Sequence, residues 1–107
     1  MSGNILIIDN EKRMCGVLKA ALELDQHHVE VAYDGDVGVQ KLQKGEFDIV
    51  ITDLKMPGKD GIAVLDFVKK TSPDTEVILM TAYATAQTAV EAMRKGAYDY
   101  LIKPFEM

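Results

Sequence analysis

Apolar residues in this chain arrive in two rhythms, and the two alternate. After Asn4, Ile5-Leu6-Ile7-Ile8 is an unbroken branched run, the pattern of a strand buried on both faces. From Asn10 the period changes. Met14, Val17, Leu18, Ala21 and Leu22 fall on one helical face and predict a helix to about Gln26. His28 to Ala32 alternates polar and apolar, which predicts a strand less fully covered and near a sheet edge. Asp34 and Gly35 mark a turn, with Asp34 placed to cap a helix from Asp36 to Lys44. That helix is weakly patterned, and Gly38 inside it costs about 1 kcal/mol relative to alanine. Gly45 predicts its stop.

The alternation continues. Asp48 to Thr52 predicts a third strand, and Met56-Pro57-Gly58 breaks the chain after it. Ile62, Leu65 and Val68 share one face of the next helix, which Ser72-Pro73-Asp74 ends. Glu76 to Met80 is the fourth strand. Ala84 to Lys95 reads as a helix with Ala86, Ala89, Val90 and Met93 turned inward, an alanine-rich face that predicts light packing and movement. Gly96 stops it, and Tyr98 to Ile102 is the fifth strand. Strand and helix repeating over short connections predict an α/β fold, a parallel sheet with helices on both faces. One domain is expected over residues 1–107, without repeats or linker, and no helix follows the fifth strand to cover it.

Composition narrows the possibilities. The chain has 107 residues, 48% of them hydrophobic, which suits one domain with a real core. Its formal net charge of -5 makes it a poor partner for a phosphate backbone, so direct nucleic-acid binding is not expected. No apolar run approaches the length of a membrane span. The single cysteine, Cys15, excludes an internal disulfide, fits a reducing cytoplasm and reads as helix filler. His27 and His28 read as solvated rather than as ligands, and the methionines as core filler.

The chemistry collects where the apolar runs stop. Ile5–Ile8 ends at Asp9, followed by Asn10 and Glu11. The third run ends at Asp53, the fourth at Thr81 and the fifth at Lys103. In an open parallel sheet the functional crevice lies outside the carboxyl ends of the strands. If the first and third strands are neighbours, Asp9, Asn10 and Asp53 share one pocket. Oxygen donors without histidine or thiolate suit a hard cation, Mg²⁺ above all. Lys103 and Thr81 add a positive charge and a hydroxyl donor. Cation, metal and donor together are what a transferring phosphoryl group requires. A carboxylate can itself be the nucleophile and form an acyl phosphate.

These residues carry a family resemblance. Asp9-Asn10-Glu11, Asp53 with Met56-Pro57-Gly58, Thr81-Ala82 and Lys103-Pro104-Phe105 occur in order at strand ends and resemble the receiver domain of two-component response regulators. Thr81-Ala82-Tyr83 and the stretch from Gly96 to Phe105 are most similar to receivers of sigma-54-dependent, NtrC-like transcription activators. The resemblance implies a flavodoxin-like five-stranded sheet of order 2-1-3-4-5. It implies that Asp53 accepts phosphate from a sensor histidine kinase, with Mg²⁺ among Asp9, Asn10, Asp53 and the backbone carbonyl of Lys55. Thr81, Ala82 and Lys103 would attend the phosphoryl group, and Thr81 and Tyr100 would be the switch pair. The Lys103–Pro104 bond would be cis. The implied setting is cytoplasmic, with an AAA+ or DNA-binding output domain outside this chain and a possible homodimer.

One position departs from the family. An acid is usual where Asn10 stands, and asparagine keeps an oxygen but removes a charge, which predicts weaker Mg²⁺ binding. The plainer readings are a strand terminator for Asp53, helix caps for Asp9 and Thr81, a surface cation for Lys103, and simple packing for Tyr98, Tyr100 and Phe105. Three other functions compete with the switch. A phosphorylation-silent interaction module is favoured by Asn10. An aspartyl phosphohydrolase is disfavoured because Lys55 stands two positions after Asp53, where such enzymes place a general acid. A flavin module is disfavoured by the acidic loop after the first strand.

Overall fold

The computed structural model describes residues 3–103. Five parallel strands, β1 (Asn4–Ile8), β2 (His28–Ala32), β3 (Ile49–Asp53), β4 (Glu76–Thr81) and β5 (Asp99–Ile102), form one sheet in the order β2-β1-β3-β4-β5. Between them run α1 (Lys12–Leu24), α2 (Gly35–Lys44), α3 (Gly61–Thr71) and α4 (Ala86–Arg94). Strand order reverses at β1, which sits between β2 and β3, so the crevice opens beside the end of β1.

The branched runs build a core on each side of this sheet, because successive strand residues face opposite ways. Leu6, Ile8 and Val50 face the layer that holds Val39 of α2, Val64, Leu65 and Val68 of α3 and Ala92 of α4. Ile5 and Ile7 face the other layer, with Cys15 and Leu18 of α1. Strand β2 is an edge strand and has an exposed first residue, as its alternating pattern predicts.

Local chemistry sets the helix starts. Asp34 Oδ1 accepts from the Val37 amide at 2.8 Å, and Asp60 Oδ1 accepts from the Ala63 amide at 2.8 Å. Thr85 and Thr88 form a reciprocal capping box at the start of α4. Thr81 therefore does not cap that helix. Gly38 has a packing reason, since a Cβ there would run into the Ile8 side chain. Gly96, with φ of 98°, takes the left-handed turn after α4 that its position predicts.

Three expectations change. The inward side of α4 is built on Ala92, which is fully buried, while Ala86 is exposed, Val90 is 50% exposed and Met93 49%. Only Ala89 of the expected inward set is partly covered. Tyr98 precedes β5 and is 65% exposed, so it is not core packing. Helix α1 ends at Leu24, short of Gln26, which has a φ of 67° and closes the turn into β2. Pro104 and Phe105 lie outside the described residues, and with them the expected cis bond. Among the described residues, no helix is long and apolar enough to cross a membrane.

Candidate functional site

Strand register assembles the site. Ile8 pairs with Thr52, so Asp9, one residue on, lies beside Asp53 at the end of β3. Asp53 pairs with Met80, which puts Thr81 one step further at the end of β4. Thr81 pairs with Ile102, which puts Lys103 just past the end of β5. Four residues far apart in sequence meet because parallel strands all end at the same edge of the sheet.

Lys103 joins the two acids. Its Nζ lies 2.6 Å from Asp9 Oδ2 and 3.3 Å from Asp53 Oδ2, and its side chain is only 9% exposed. Asp9 is fully buried, and Asp53 nearly so. The second oxygen of Asp9 accepts from the Glu11 amide at 2.9 Å, and that of Asp53 from the Lys55 amide at 3.4 Å. Asp9 thus orders the loop into α1 as well as holding Lys103, but it does not cap that helix, whose N-cap position is Glu11. Among the described residues, no buried side-chain nitrogen or oxygen lacks a partner.

The electrostatics follow from this burial. Loss of water pushes the Asp53 carboxyl above its ordinary value, and the nearby Asp9 charge pushes it further, against the pull of Lys103. Burial alone would lower the Lys103 ammonium. Its hydrogen bond to Asp9, with the charges of Asp53 and Asp9, outweighs that and raises it. Lys103 is therefore a permanent cation, while Asp53 is a carboxylate held less comfortably than in water.

Above the acids lies an open pocket of about 310 Å³ lined by Asn10, Glu11, Asp53, Lys55, Ala82, Tyr83 and Lys103. Asn10 and Ala82 are exposed at its rim. Thr81 is fully buried beneath it, and its Oγ1 accepts from the Tyr83 amide at 3.0 Å. Tyr100 is half-buried, packs against the larger core, and meets Thr88 Oγ1 at 2.7 Å through its hydroxyl.

Sequence reasoning placed Glu11 and Lys55 at the site but missed the contacts of three neighbours. The Glu11 carboxylate reaches within 3.5 Å of Lys103. Lys55 lies over the Tyr83 ring, 5.5 Å from its centroid, across the pocket mouth. Thr88 is the third; its spacing from Thr85 signals the cap but not the contact with Tyr100. Cys15, fully buried, contacts the Asp9 carbonyl through its Sγ at 3.3 Å. Burial, then the Asp9 charge, pushes its thiol up to about 11, so it is inert packing as expected.

Comparison with known proteins places this arrangement. The family model for the response regulator receiver domain matches residues 5–107. The chain belongs to the response regulator receiver domain family. The transcriptional regulatory protein ZraR of Salmonella typhimurium is 38% identical over 96% of this chain, which spans only 23% of ZraR. The beryllofluoride-activated NtrC4 receiver domain dimer superposes with a TM-score of 0.91 at 36% identity, covering 96% of this receiver and 85% of that chain. A response regulator from Burkholderia pseudomallei, solved with a phosphorylated aspartic acid, calcium ion and citrate, gives a TM-score of 0.90 at 29% identity, covering 96% of this receiver and 61% of that chain. The doubly covered sheet of order 2-1-3-4-5 is the receiver fold, and the NtrC-like character of the sequence agrees with the NtrC4 match.

Proposed function

We propose that this receiver is a phosphorylation-controlled switch in which Asp53 is the phosphoacceptor. The observation that carries this reading is Lys103 between Asp9 and Asp53 at the floor of an open pocket. One Asp53 oxygen attacks phosphorus and forms the acyl phosphate, while the phosphorus–nitrogen bond of a kinase phosphohistidine breaks and its electron pair stays on the imidazole. Lys103 then faces the new phosphoryl charge, Thr81 offers its hydroxyl, and Ala82 leaves room beside them.

The donor set suits Mg²⁺. Asp9 and Asp53 supply buried carboxylate oxygens, Asn10 an amide oxygen and Lys55 a backbone carbonyl, and no imidazole or thiolate competes. When bound, the cation neutralises charge between the incoming group and the acids. Besides the two buried acids, the exposed Glu11 carboxylate lines the same pocket, 3.5 Å from Lys103. A sensor histidine kinase is the donor, and the output is transcription activation through an AAA+ or DNA-binding domain of a longer protein, with a homodimer as one means. The domain is not a turnover enzyme on a separate substrate, since Lys55 stands where a phosphohydrolase would place its acid.

Asn10 favours one second reading, a receiver that no longer takes phosphate and acts as an interaction module. Incubation with acetyl phosphate and Mg²⁺ followed by intact mass separates the two. A gain of one phosphoryl group, absent in Asp53→Ala, supports the switch. No gain at any Mg²⁺ concentration supports the silent module.

A further inference from the structure

The hydroxyl of Thr88 stands at a crossing. It lies 3.2 Å from the Thr85 amide, 3.0 Å from Thr85 Oγ1, 3.1 Å from the Thr85 carbonyl and 2.7 Å from the Tyr100 hydroxyl. A hydroxyl donates once and accepts twice. Thr88 Oγ1 must accept from the Thr85 amide, because an amide can only donate. Its proton and its second lone pair serve Thr85 and Tyr100, and either hydroxyl of the Thr88–Tyr100 pair can donate. The bond joins the first turn of α4 to β5.

Little else holds that turn. Ala92 is the buried residue of α4, and it lies in the second half of the helix. Ala86 and Val90 face solvent. The ion pair from Lys95 to Asp66 of α3, at 3.2 Å, ties down the far end and is largely exposed. The phosphoacceptor pocket begins three residues before the cap. Thr81 Oγ1 holds the Tyr83 amide, and the chain runs from there through Ala84 to Thr85. Any turn of the Thr81 hydroxyl toward a group on Asp53 releases Tyr83 and pulls on the loop that ends in the capping box.

We propose that the Thr88–Tyr100 hydroxyl pair is a latch that locks the first turn of α4 to β5 in the unphosphorylated form and so sets how readily the switch turns. Its regulatory part rests on the phosphoacceptor reading; its structural part does not. The latch is a conformational bias whose strength is one hydrogen bond. Breaking it leaves the pocket intact and raises the population of the unlatched form.

Tyr100→Phe is the discriminating variant, because it removes one hydroxyl of the pair while leaving the ring, its core packing and the Thr85–Thr88 cap in place. Residue-resolved amide exchange is measured on the full chain without metal or phosphoryl mimic. Loss of one hydrogen bond of ordinary net strength should speed exchange at Thr88 and Ala89 about fivefold, with β1 and β3 unchanged. Thr88→Ala, which loses cap and latch together, should speed it further, and adding Tyr100→Phe to it should change nothing more. The second arm titrates beryllofluoride with Mg²⁺, where the midpoint of Tyr100→Phe should fall about fivefold below wild type. Unchanged exchange at Thr88 and Ala89 in Tyr100→Phe would overturn the latch. Faster exchange with an unmoved midpoint would overturn its role in the switch. If the wild type itself takes no beryllofluoride, the phosphoacceptor reading fails, and the exchange arm still decides the latch by itself.

Discussion

Lys103 supplies the one cation that two buried acids share. Removing it as Lys103→Met leaves Asp9 and Asp53 facing each other in a space with little water. Breaking a buried pair in this way costs about 3–5 kcal/mol. The pH dependence has a definite sign. Asp53 already has a raised carboxyl in the folded protein, so its contribution to stability is full below its ordinary value of 3.8 and is lost as pH rises through the folded value. Without Lys103 that value rises further. Urea unfolding in EDTA should therefore show the deficit of Lys103→Met largest at neutral pH and shrinking on acidification toward pH ~5. A deficit independent of pH would mean that lost packing, not lost charge, is responsible. Asn10 gives the complementary test. Asn10→Asp restores a charge at the pocket rim, and calorimetric titration should show Mg²⁺ binding tightened about tenfold or more, because affinity at oxygen sites follows ligand charge. The four strand-end residues were legible because the backbone alone brings parallel strand ends together. The contact of Glu11 with Lys103 was not, because it depends on the rotamer of an exposed side chain.

At the scale of elements, the site is held from behind by α3. Gly61, the first residue of that helix, packs so closely under the end of β3 that a Cβ would run into the Asp53 carbonyl oxygen and lie 2.9 Å from Leu54 Cα. Backbone cannot step aside as a flexible side chain can. Gly61→Ala should destabilise by about 1–3 kcal/mol in chemical denaturation and shift the amide resonances of Asp53 and Lys55. An unperturbed Asp53 amide would show that α3 had moved instead. The need for glycine here is invisible in the sequence, where the residue only follows an evident cap at Asp60. Helix α4 shows the opposite failure. Its existence was plain, but its inward side was not, because apolar residues occupy several sides of the helix and periodicity alone fixes no phase. Ala92 joins the larger core with Ala97 and Tyr100, while Val90 and Met93 stay about half exposed.

Across the whole molecule, the pocket sets stability against function. The core clusters on both faces of the sheet stabilise the fold, while the crevice at the strand ends keeps a carboxylate in an environment that disfavours its charge. Such conflicts gather at functional sites and are sustained by the rest of the fold. In metal-free buffer at neutral pH, Asp53→Asn should therefore be more stable than wild type, since the amide keeps the shape and omits the disfavoured charge; the urea midpoint should rise. Mg²⁺ and beryllofluoride should reverse the order. A ligand bound only by the folded state at a hundred times its Kd adds about 2.7 kcal/mol, which in a domain of this size lifts Tm by on the order of 10 °C. Only the wild type has the carboxylate to hold it, so its melting curve should overtake that of Asp53→Asn, which stays fixed. If both proteins rise equally, the anion is bound somewhere other than the floor of this pocket. If neither rises while Asn10→Asp does, the missing acid at position 10 is what keeps this receiver silent, and the second reading of its function stands.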